Sequence, residues 1–253
     1  MIITFLGTGT SQGVPVIGCN CQVCASPDPK DKRLRSSVHI LANGLSIVID
    51  TGPDFRQQML RENIKELDAV LFTHHHKDHV AGMDDIRSYN FLLRKTIPVY
   101  ANHTTKEQLV KEFEYVFEPN GYGGGPKVFI NEIDGGPFYF KDLEITPIEV
   151  LHDKLLVYGF KIGDFTYITD ANYISDKELE KIRGSKFLVL NALQRNPHPS
   201  HFTLEEALEQ IRKINPVHAY LTHISHNMGL HREVSKILPG NVHLAYDGLK
   251  LKA

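Results

Sequence analysis

Thr73-His74-His75-His76-Lys77-Asp78-His79 is the stretch that decides how this chain is interpreted. The five residues before it, 68–72, are mostly apolar and β-favouring and predict a short buried strand. After it, residues 83–93 have helical spacing. The stretch is therefore predicted to form a tight loop at the carboxyl end of a strand, where α/β folds usually place their chemistry.

The spacing H-x-H-x-D-H within this loop is typical of a metal site. Alternate residues can face one way while the last two face another, so one short loop can supply ligands to two neighbouring ions. Neutral imidazole suits zinc, iron or manganese, and a carboxylate adds charge and can help to hold a second ion. The alternative is a solvated histidine-rich turn, or a helix start capped by Asp78. The candidate ligands are His74, His76, Asp78 and His79.

Composition narrows the class of protein. The chain has 253 residues, with 42% hydrophobic and 23% charged residues, which is ordinary for a globular protein. Its net charge of -2 gives no electrostatic reason to expect a nucleic-acid or membrane-surface partner. No apolar run approaches the ~20 residues that span a bilayer, and the first six residues predict a strand rather than a signal peptide. A cytoplasmic location is expected.

All three cysteines lie within six residues, as Cys19, Cys21 and Cys24. This C-x-C-x-x-C spacing is a poor disulfide framework and a good metal clip. Three thiolates need a fourth ligand from elsewhere in the chain. The alternative is a set of reduced surface cysteines in a glycine-rich loop.

The order of predicted elements indicates the fold. Strands are followed by helices twice along the chain, and Asn43-Gly44 predicts a hairpin. This order predicts an α/β protein, a four-layer αββα sandwich, formed by a single domain over residues 1–253. A strand at 242–246 is expected to close the chain, and Asn120 to Pro126 is interpreted as a surface loop.

Three further polar residues end apolar strands, as His74 does. One such residue is usually a cap or a satisfied polar group, but three in the same context suggest more ligands. Together with the four candidates in the loop they give seven ligands, the number expected for two ions that share a carboxylate. The three residues are His152, Asp170 and His223.

This ligand order resembles the metallo-β-lactamase superfamily over essentially the whole chain. The resemblance implies that His74, His76 and His152 hold one divalent ion, zinc or manganese. It implies that Asp78, His79 and His223 hold the second ion, and that Asp170 bridges the two. A histidine rather than a glutamate at His76 matches the hydrolytic members rather than the di-iron redox members.

Within the superfamily, the sequence is similar to the PhnP phosphodiesterases. The similarity rests on the opening Phe5-Leu6-Gly7-Thr8-Gly9, on Gln12-Gly13-Val14-Pro15, and on the cysteine clip. It implies a structural zinc ion bound by Cys19, Cys21, Cys24 and His226, which completes a closed Cys3His set. PqqB proteins share the cysteine pattern, so the clip alone leaves the subgroup open.

The segment His201-Phe202-Thr203 resembles the H-x-T element of ribonuclease Z and related phosphodiesterases. In those enzymes a histidine assists at the scissile phosphate. His201 at a helix entrance could donate a proton to a leaving alkoxide or hold a phosphoryl oxygen. His198 competes for this role, and Thr203 could simply begin the helix.

The sequence therefore predicts a metal-dependent phosphodiesterase that attacks a small cyclic or nucleotide-like phosphodiester with a hydroxide activated by two ions. Asp78 would orient the nucleophile and His201 would act as the acid. Ribonuclease Z carries a tRNA-binding arm between the ligands equivalent to His152 and Asp170, whereas 17 residues separate them here, which disfavours long RNA. A non-hydrolytic PqqB-like accessory protein is the alternative from another class. The resemblance implies a homodimer, and no membrane partner is expected.

Overall fold

The computed structural model describes residues 1–118 and 123–253. It contains fifteen strands in this part of the chain: β1 Ile2–Gly7, β2 Ser37–Ala42, β3 Leu45–Ile49, β4 Ala69–Leu71, β5 Ile97–Ala101, β6 Val128–Glu132, β7 Phe138–Phe140, β8 Leu143–His152, β9 Leu155–Ile162, β10 Phe165–Tyr167, β11 Tyr173–Ile174, β12 Phe187–Asn191, β13 His218–Thr222, β14 Val242–Leu244 and β15 Lys250–Lys252. The helices are α1 Phe55–Arg61, α2 Lys77–Val80, α3 Arg87–Leu93, α4 His103–Glu112, α5 Glu114–Phe117, α6 Asp176–Ile182, α7 Leu204–Ile214 and α8 His231–Val234. Short 3₁₀ turns occur at Pro29–Asp31, Met83–Ile86 and His226–Met228.

The strands form two mixed sheets. The first has the order β15-β1-β2-β3-β4-β5-β6, and β3 to β6 run parallel. The second has the order β11-β8-β9-β10-β12-β13-β14, with β7 paired to β8. Its strands β10, β12, β13 and β14 run parallel. Parallel strands place their carboxyl ends at one edge, so the residues that follow β4, β10 and β13 are brought to the ends of the sheets.

Three apolar clusters separate four layers. The central cluster lies between the facing sides of the two sheets. It contains, for example, Ile47 from β3 and Phe160 from β9. A second cluster lies between the first sheet and its helices, including Phe55 of α1 and Leu109 of α4. A third lies between the second sheet and α6 and α7. Apolar faces covered on both sides of each sheet confirm the predicted αββα sandwich.

The end of the chain differs from the prediction. The strand expected to close the chain at 242–246 ends at Leu244, and a further strand, Lys250–Lys252, follows it. This last strand pairs antiparallel with β1 in the first sheet, not the second. A three-residue strand with two exposed lysines carries little apolar pattern, which explains why sequence periodicity did not indicate it.

Smaller differences concern helices and loops. The helical region at 83–93 is split into a 3₁₀ turn followed by α3. The predicted surface loop from Asn120 to Pro126 lies partly outside the described residues, since 119–122 are not among them. Among the residues that are described, no helix has both the length and the apolar content needed to cross a membrane.

Candidate metal centre

The histidine-rich loop follows β4 at the end of the first sheet. Its second half forms the four-residue helix α2, with His76 at the N-cap, rather than the loop predicted. Two glycines allow the neighbouring backbone to approach. A Cβ atom on Gly52 would lie 2.1 Å from the carbonyl oxygen of Asp78, and one on Gly82 would lie 2.2 Å from the carbonyl oxygen of Gly52. No other residue fits at these two positions without moving the ligand loop.

A first cluster joins the two sheets. His74 and His76, from the first sheet, and His152, at the end of β8 in the second, place one ring nitrogen each within 4.8 Å of one another. His152 Nδ1 donates a hydrogen bond to the carbonyl oxygen of Ser200 at 2.7 Å. This bond fixes the ring and leaves its Nε2 available as a ligand. His75, between the two loop ligands, belongs to neither cluster of donors found in the described residues.

A second cluster contains two carboxylates and two imidazoles, which are Asp78, His79, Asp170 and His223. His79 Nε2 lies 3.1 Å from Asp78 Oδ2 and 3.1 Å from Asp170 Oδ2. His223 Nδ1 lies 3.3 Å from Asp170 Oδ2. Asp170 also groups with His152 of the first cluster. Its carboxylate therefore lies between the two clusters, where a bridging ligand is needed.

Asp50 supports this centre and was missed by the sequence prediction. It is fully buried directly after β3, and its Oδ2 accepts a hydrogen bond from His79 Nδ1 at 2.7 Å. Thr73 donates to the same carboxylate through its amide and its hydroxyl, each at 2.9 Å. A carboxylate in this position fixes the histidine ring and directs its other nitrogen toward the metal. The available signal was the aspartate directly after the apolar strand 45–49, the same context that identified Asp170.

The backbone is strained where three of these residues leave their strands. Asp50, Asp170 and His223 have left-handed φ angles of 65°, 52° and 55°. This region is unfavourable for residues other than glycine, and such residues cluster at functional sites. This backbone conformation allows each of the three segments to turn sharply out of its sheet. Its side chain is then directed toward the shared centre.

Buried nitrogens without partners show that these residues fit a divalent-metal centre. His74 Nε2 and His79 Nε2 are buried and have no hydrogen-bond partner among the described residues. His79 Nε2 is close to two carboxylate oxygens but lacks hydrogen-bond geometry with either. Leaving a buried polar atom unpaired costs about 1–3 kcal/mol. Coordination to a cation removes that cost, and a set of imidazoles and carboxylates suits zinc or manganese.

The charges in the centre also favour a cation. Burial by itself raises the pKa of the Asp170 carboxyl, but His223 and His79 hold that pKa well below its usual range. Burial lowers the pKa of His79, but Asp78, Asp170 and Asp50 hold it well above its ordinary value. Carboxylates that stay ionised inside the protein leave negative charge that a divalent cation neutralises.

His201 lies against both clusters. Its Nδ1 is 3.7 Å from Asp170 Oδ1, and its ring centroid is 4.4 Å from that of His152 and 4.8 Å from that of His223. The side chain is buried, and its Nδ1 has no hydrogen-bond partner among the described residues. Burial, together with the neighbouring His223, lowers the pKa of His201 to about 3. The imidazole is thus neutral before substrate binds and can donate one N–H.

The two alternatives raised for this segment were that His198 takes the role of His201 and that Thr203 simply begins the helix. His198 has its ring centroid 5.1 Å from that of His201, and its Nδ1 accepts from the amide of Ser200 at 3.4 Å. Thr203 is the N-cap of α7 and forms a capping box with Glu206. Thr203 therefore begins the helix that follows His201.

The cysteine clip also has a fourth donor. His226 Nδ1 lies 3.3 Å from Cys19 Sγ, 3.5 Å from Cys21 Sγ and 3.4 Å from Cys24 Sγ. All four donor atoms are within 4.8 Å of one another. A hydrogen bond from the Cys24 amide lowers the pKa of Cys21 to about 6, which favours the thiolate that binds metal. The arrangement fits a closed tetrahedral site.

Replacing Asp50 with asparagine is expected to weaken metal binding at the second cluster by about 10–100-fold, because His79 loses its orienting carboxylate. Competition with a chromophoric chelator measures the affinity. Asp68→Asn is the matched control, since Asp68 lies at the other end of β4 and contacts Lys95. Equal losses in the two variants would show that the effect is not specific to His79.

Replacing Cys21 with serine is expected to remove one metal ion per chain, because one of four clip ligands is lost. Metal content measured by mass spectrometry should fall by that amount while metal at the histidine clusters is retained. An unchanged metal content would contradict a metal site at the clip.

Two packed sheets with histidine and aspartate donors at their shared end define a protein with a metal-binding centre of imidazoles and carboxylates. A family model described as "Beta-lactamase superfamily domain" matches residues 46–224. The chain belongs to this superfamily. Within it, the crystal structure of a diphosphatase from the PhnP family is 40% identical, with a TM-score of 0.93 over 100% of this chain and 97% of that one. The likeness is strong enough to place the chain in the PhnP family.

Two other relatives extend the comparison. A protein of Porphyromonas gingivalis (strain ATCC BAA-308 / W83) named octanoyltransferase is 42% identical over 248 residues, which is 97% of this chain and 50% of that protein. This chain therefore spans about half the length of that relative. The zinc-bound crystal structure of PqqB from Methylobacterium extorquens has a TM-score of 0.80, at 18% identity over 100% of both chains. At that identity the likeness concerns the fold.

Proposed function

We propose that this chain hydrolyses a P–O bond in a small cyclic or nucleotide-like phosphodiester, a class that includes diesters of diphosphate. The observation that carries the proposal is the position of His201, whose ring lies beside Asp170 where the two donor clusters meet. Here a neutral N–H donor faces the place where a leaving oxygen would develop charge. The PhnP-family neighbour is described as a diphosphatase, which supports chemistry at phosphorus.

The ligand residues and His201 divide the reaction between them. Two divalent ions, when bound, supply a nucleophile at neutral pH and neutralise phosphate charge. The seven ligands proposed to hold them are His74, His76, Asp78, His79, His152, Asp170 and His223. The Asp78 carboxylate, at the edge of the second cluster, orients the attacking water. The negative charge of a bound phosphate would raise the pKa of His201, so that the ring takes up a proton from solvent and passes it to the departing oxygen.

The short stretch of sequence between two of the proposed ligands supports a small substrate. The 17 residues between His152 and Asp170 are used mainly by β9 and β10, so they supply no long arm for RNA. A net charge of -2 also gives no overall electrostatic attraction for a polynucleotide. The octanoyltransferase name belongs to a protein twice as long, and the buried donors here are metal ligands rather than an acyl acceptor.

A turnover panel tests the proposal. The chain loaded with Mn²⁺ or Zn²⁺ is assayed on bis-p-nitrophenyl phosphate, 2′,3′-cyclic nucleotides, ribose cyclic phosphate, a nucleoside diphosphate diester, pre-tRNA and nitrocefin. Turnover of small diesters, lost after chelation and restored by metal, is expected. No turnover of any diester with either metal would contradict the proposal and favour an accessory PqqB-like role, and activity on pre-tRNA alone would favour ribonuclease Z chemistry.

A further inference from the structure

The glycine-rich stretch that follows β1, residues 7–13, has a role that the proposed function does not use. Hydrogen bonds hold it against the segment that leads into β2. The amide of Gly9 donates to the carbonyl oxygen of Leu34 at 2.7 Å, and the hydroxyl of Ser36 donates to the carbonyl oxygen of Gly9 at 2.9 Å. The stretch therefore has a fixed path at the end of the first sheet.

The same stretch is joined to the second sheet directly after His223. Gly9 and Ile224 form an isolated parallel bridge. The amide of Ile224 donates to the carbonyl oxygen of Thr8 at 2.9 Å, and the amide of Thr10 donates to the carbonyl oxygen of Ile224 at 3.2 Å. Because Ile224 follows a proposed metal ligand in the chain, these bonds place Thr10 beside that ligand.

The side chains of Thr10 and His223 are both buried and in contact. Thr10 Oγ1 lies 3.3 Å from His223 Nε2, whereas His223 Nδ1 lies 3.3 Å from Asp170 Oδ2, on the side of the donor cluster. An imidazole binds a metal ion through its unprotonated nitrogen. If Nδ1 is the ligand, the ring proton is on Nε2, and Thr10 Oγ1 accepts a hydrogen bond from it. The reverse tautomer would place a proton on Nδ1, against Thr169 Oγ1 at 3.5 Å.

We propose that Thr10 is a positioning residue that fixes the ring of His223 and so sets the affinity of the second cluster for its ion. Its place corresponds to that of Asp50, which holds the ring of His79 through the nitrogen that does not face the cluster. A hydroxyl is uncharged, so Thr10 fixes the tautomer without adding negative charge to the centre. The inference rests on the ligand set of the proposed function, but not on its substrate.

Stepwise zinc affinities of the metal-free protein, measured by competition with a chromophoric chelator, test this proposal. Thr10→Val keeps the shape of the side chain and removes its hydroxyl, so one binding step should weaken about ten-fold. Asp50→Asn should weaken the same step, which assigns it to the second cluster. Thr10→Ser, which keeps the hydroxyl, should retain most of the affinity.

Thr4→Val is the matched control for this change. Thr4 is also a buried threonine, and it lies in β1 opposite His39 and Lys250, which belong to neither donor cluster. Its variant should bind zinc as the wild type does. Unchanged affinity in Thr10→Val, or an equal loss in Thr10→Ser or Thr4→Val, would overturn the proposal.

The tautomer of His223 gives a second readout, which needs no variant of Thr10 to fold. In long-range ¹H–¹⁵N NMR spectra of the zinc-loaded wild type, the ring of His223 should carry its proton on Nε2. Its signals are assigned by their absence from the spectrum of His223→Gln. A proton on Nδ1 would overturn the proposal, because that nitrogen could then not bind the ion.

Metal content and turnover separate failure of this proposal from failure of the proposed function. A wild type that takes up three ions and hydrolyses no diester would overturn the proposed function, and a selective loss of affinity in Thr10→Val would still support the role of Thr10. Three ions with an unchanged affinity in Thr10→Val would overturn this proposal alone. Uptake of a single ion, at the cysteine clip, would remove the ligand set and overturn both.

Discussion

Replacing Asp170 with asparagine is expected to lower kcat/KM for a small phosphodiester by on the order of 10³-fold. Its carboxylate contacts His79 and His223 and lies between the two donor clusters. The amide has a similar shape but no charge, so both clusters lose their shared anion. Metal content measured on the same samples should fall as well, while the circular dichroism spectrum stays unchanged.

Asp164→Asn is the matched control for this change. Asp164 is exposed at the opposite end of β10, so its variant should retain both activity and metal. If Asp170→Asn kept full metal content and activity, the assignment of a shared carboxylate would be wrong.

Replacing His201 with alanine is expected to lower kcat by about 10²–10⁴-fold on diesters with an alkoxide leaving group. On p-nitrophenyl esters the loss should be much smaller, since p-nitrophenolate departs without a proton. The imidazole lies close to Asp170 and to the proposed ligands His152 and His223, so metal content is measured in parallel. A plot of log kcat against leaving-group pKa gives the test, and it should be steeper for the variant.

His198→Ala is the comparison that separates the two candidate histidines. Its ring neighbours that of His201 but belongs to no donor cluster in the described part of the chain. Its leaving-group dependence should match the wild type. The reverse result, with the steeper plot in His198→Ala, would assign the acid role to His198.

The sequence was sufficient for the layers of the fold because their signals are local. Apolar strands such as residues 45–49 and 187–191 are buried on both sides, and continuous apolar runs indicate this directly. Lys250–Lys252 was missed because its partner, β1, lies at the other end of the chain. Pairing at that separation has no signature within a window of sequence.

In the candidate site, too, residues with a local sequence signal were predicted and residues that depend on tertiary contacts were not. The spacing around His76 made the donor loop predictable, and the resemblance to known families suggested His226 as the fourth ligand of the clip. Asp50 was not predicted because one aspartate after a strand is a common turn residue. Its contact with His79 depends on the close approach of two loops, which requires Gly52 to lie against the backbone of Asp78.

The donors of the metal centre come from both sheets, and this affects how the protein acquires its ions. Four of them follow β4 in the first sheet, whereas His152, Asp170 and His223 belong to the second. Neither sheet alone carries a complete set, so full coordination of the ions requires that the two sheets have packed together. Binding to the closed form adds RT ln(1 + [metal]/Kd) to the free energy of unfolding. Metal content would thus report on the fraction of chains that are fully folded. Depletion of the ions would first weaken the packing between the two sheets.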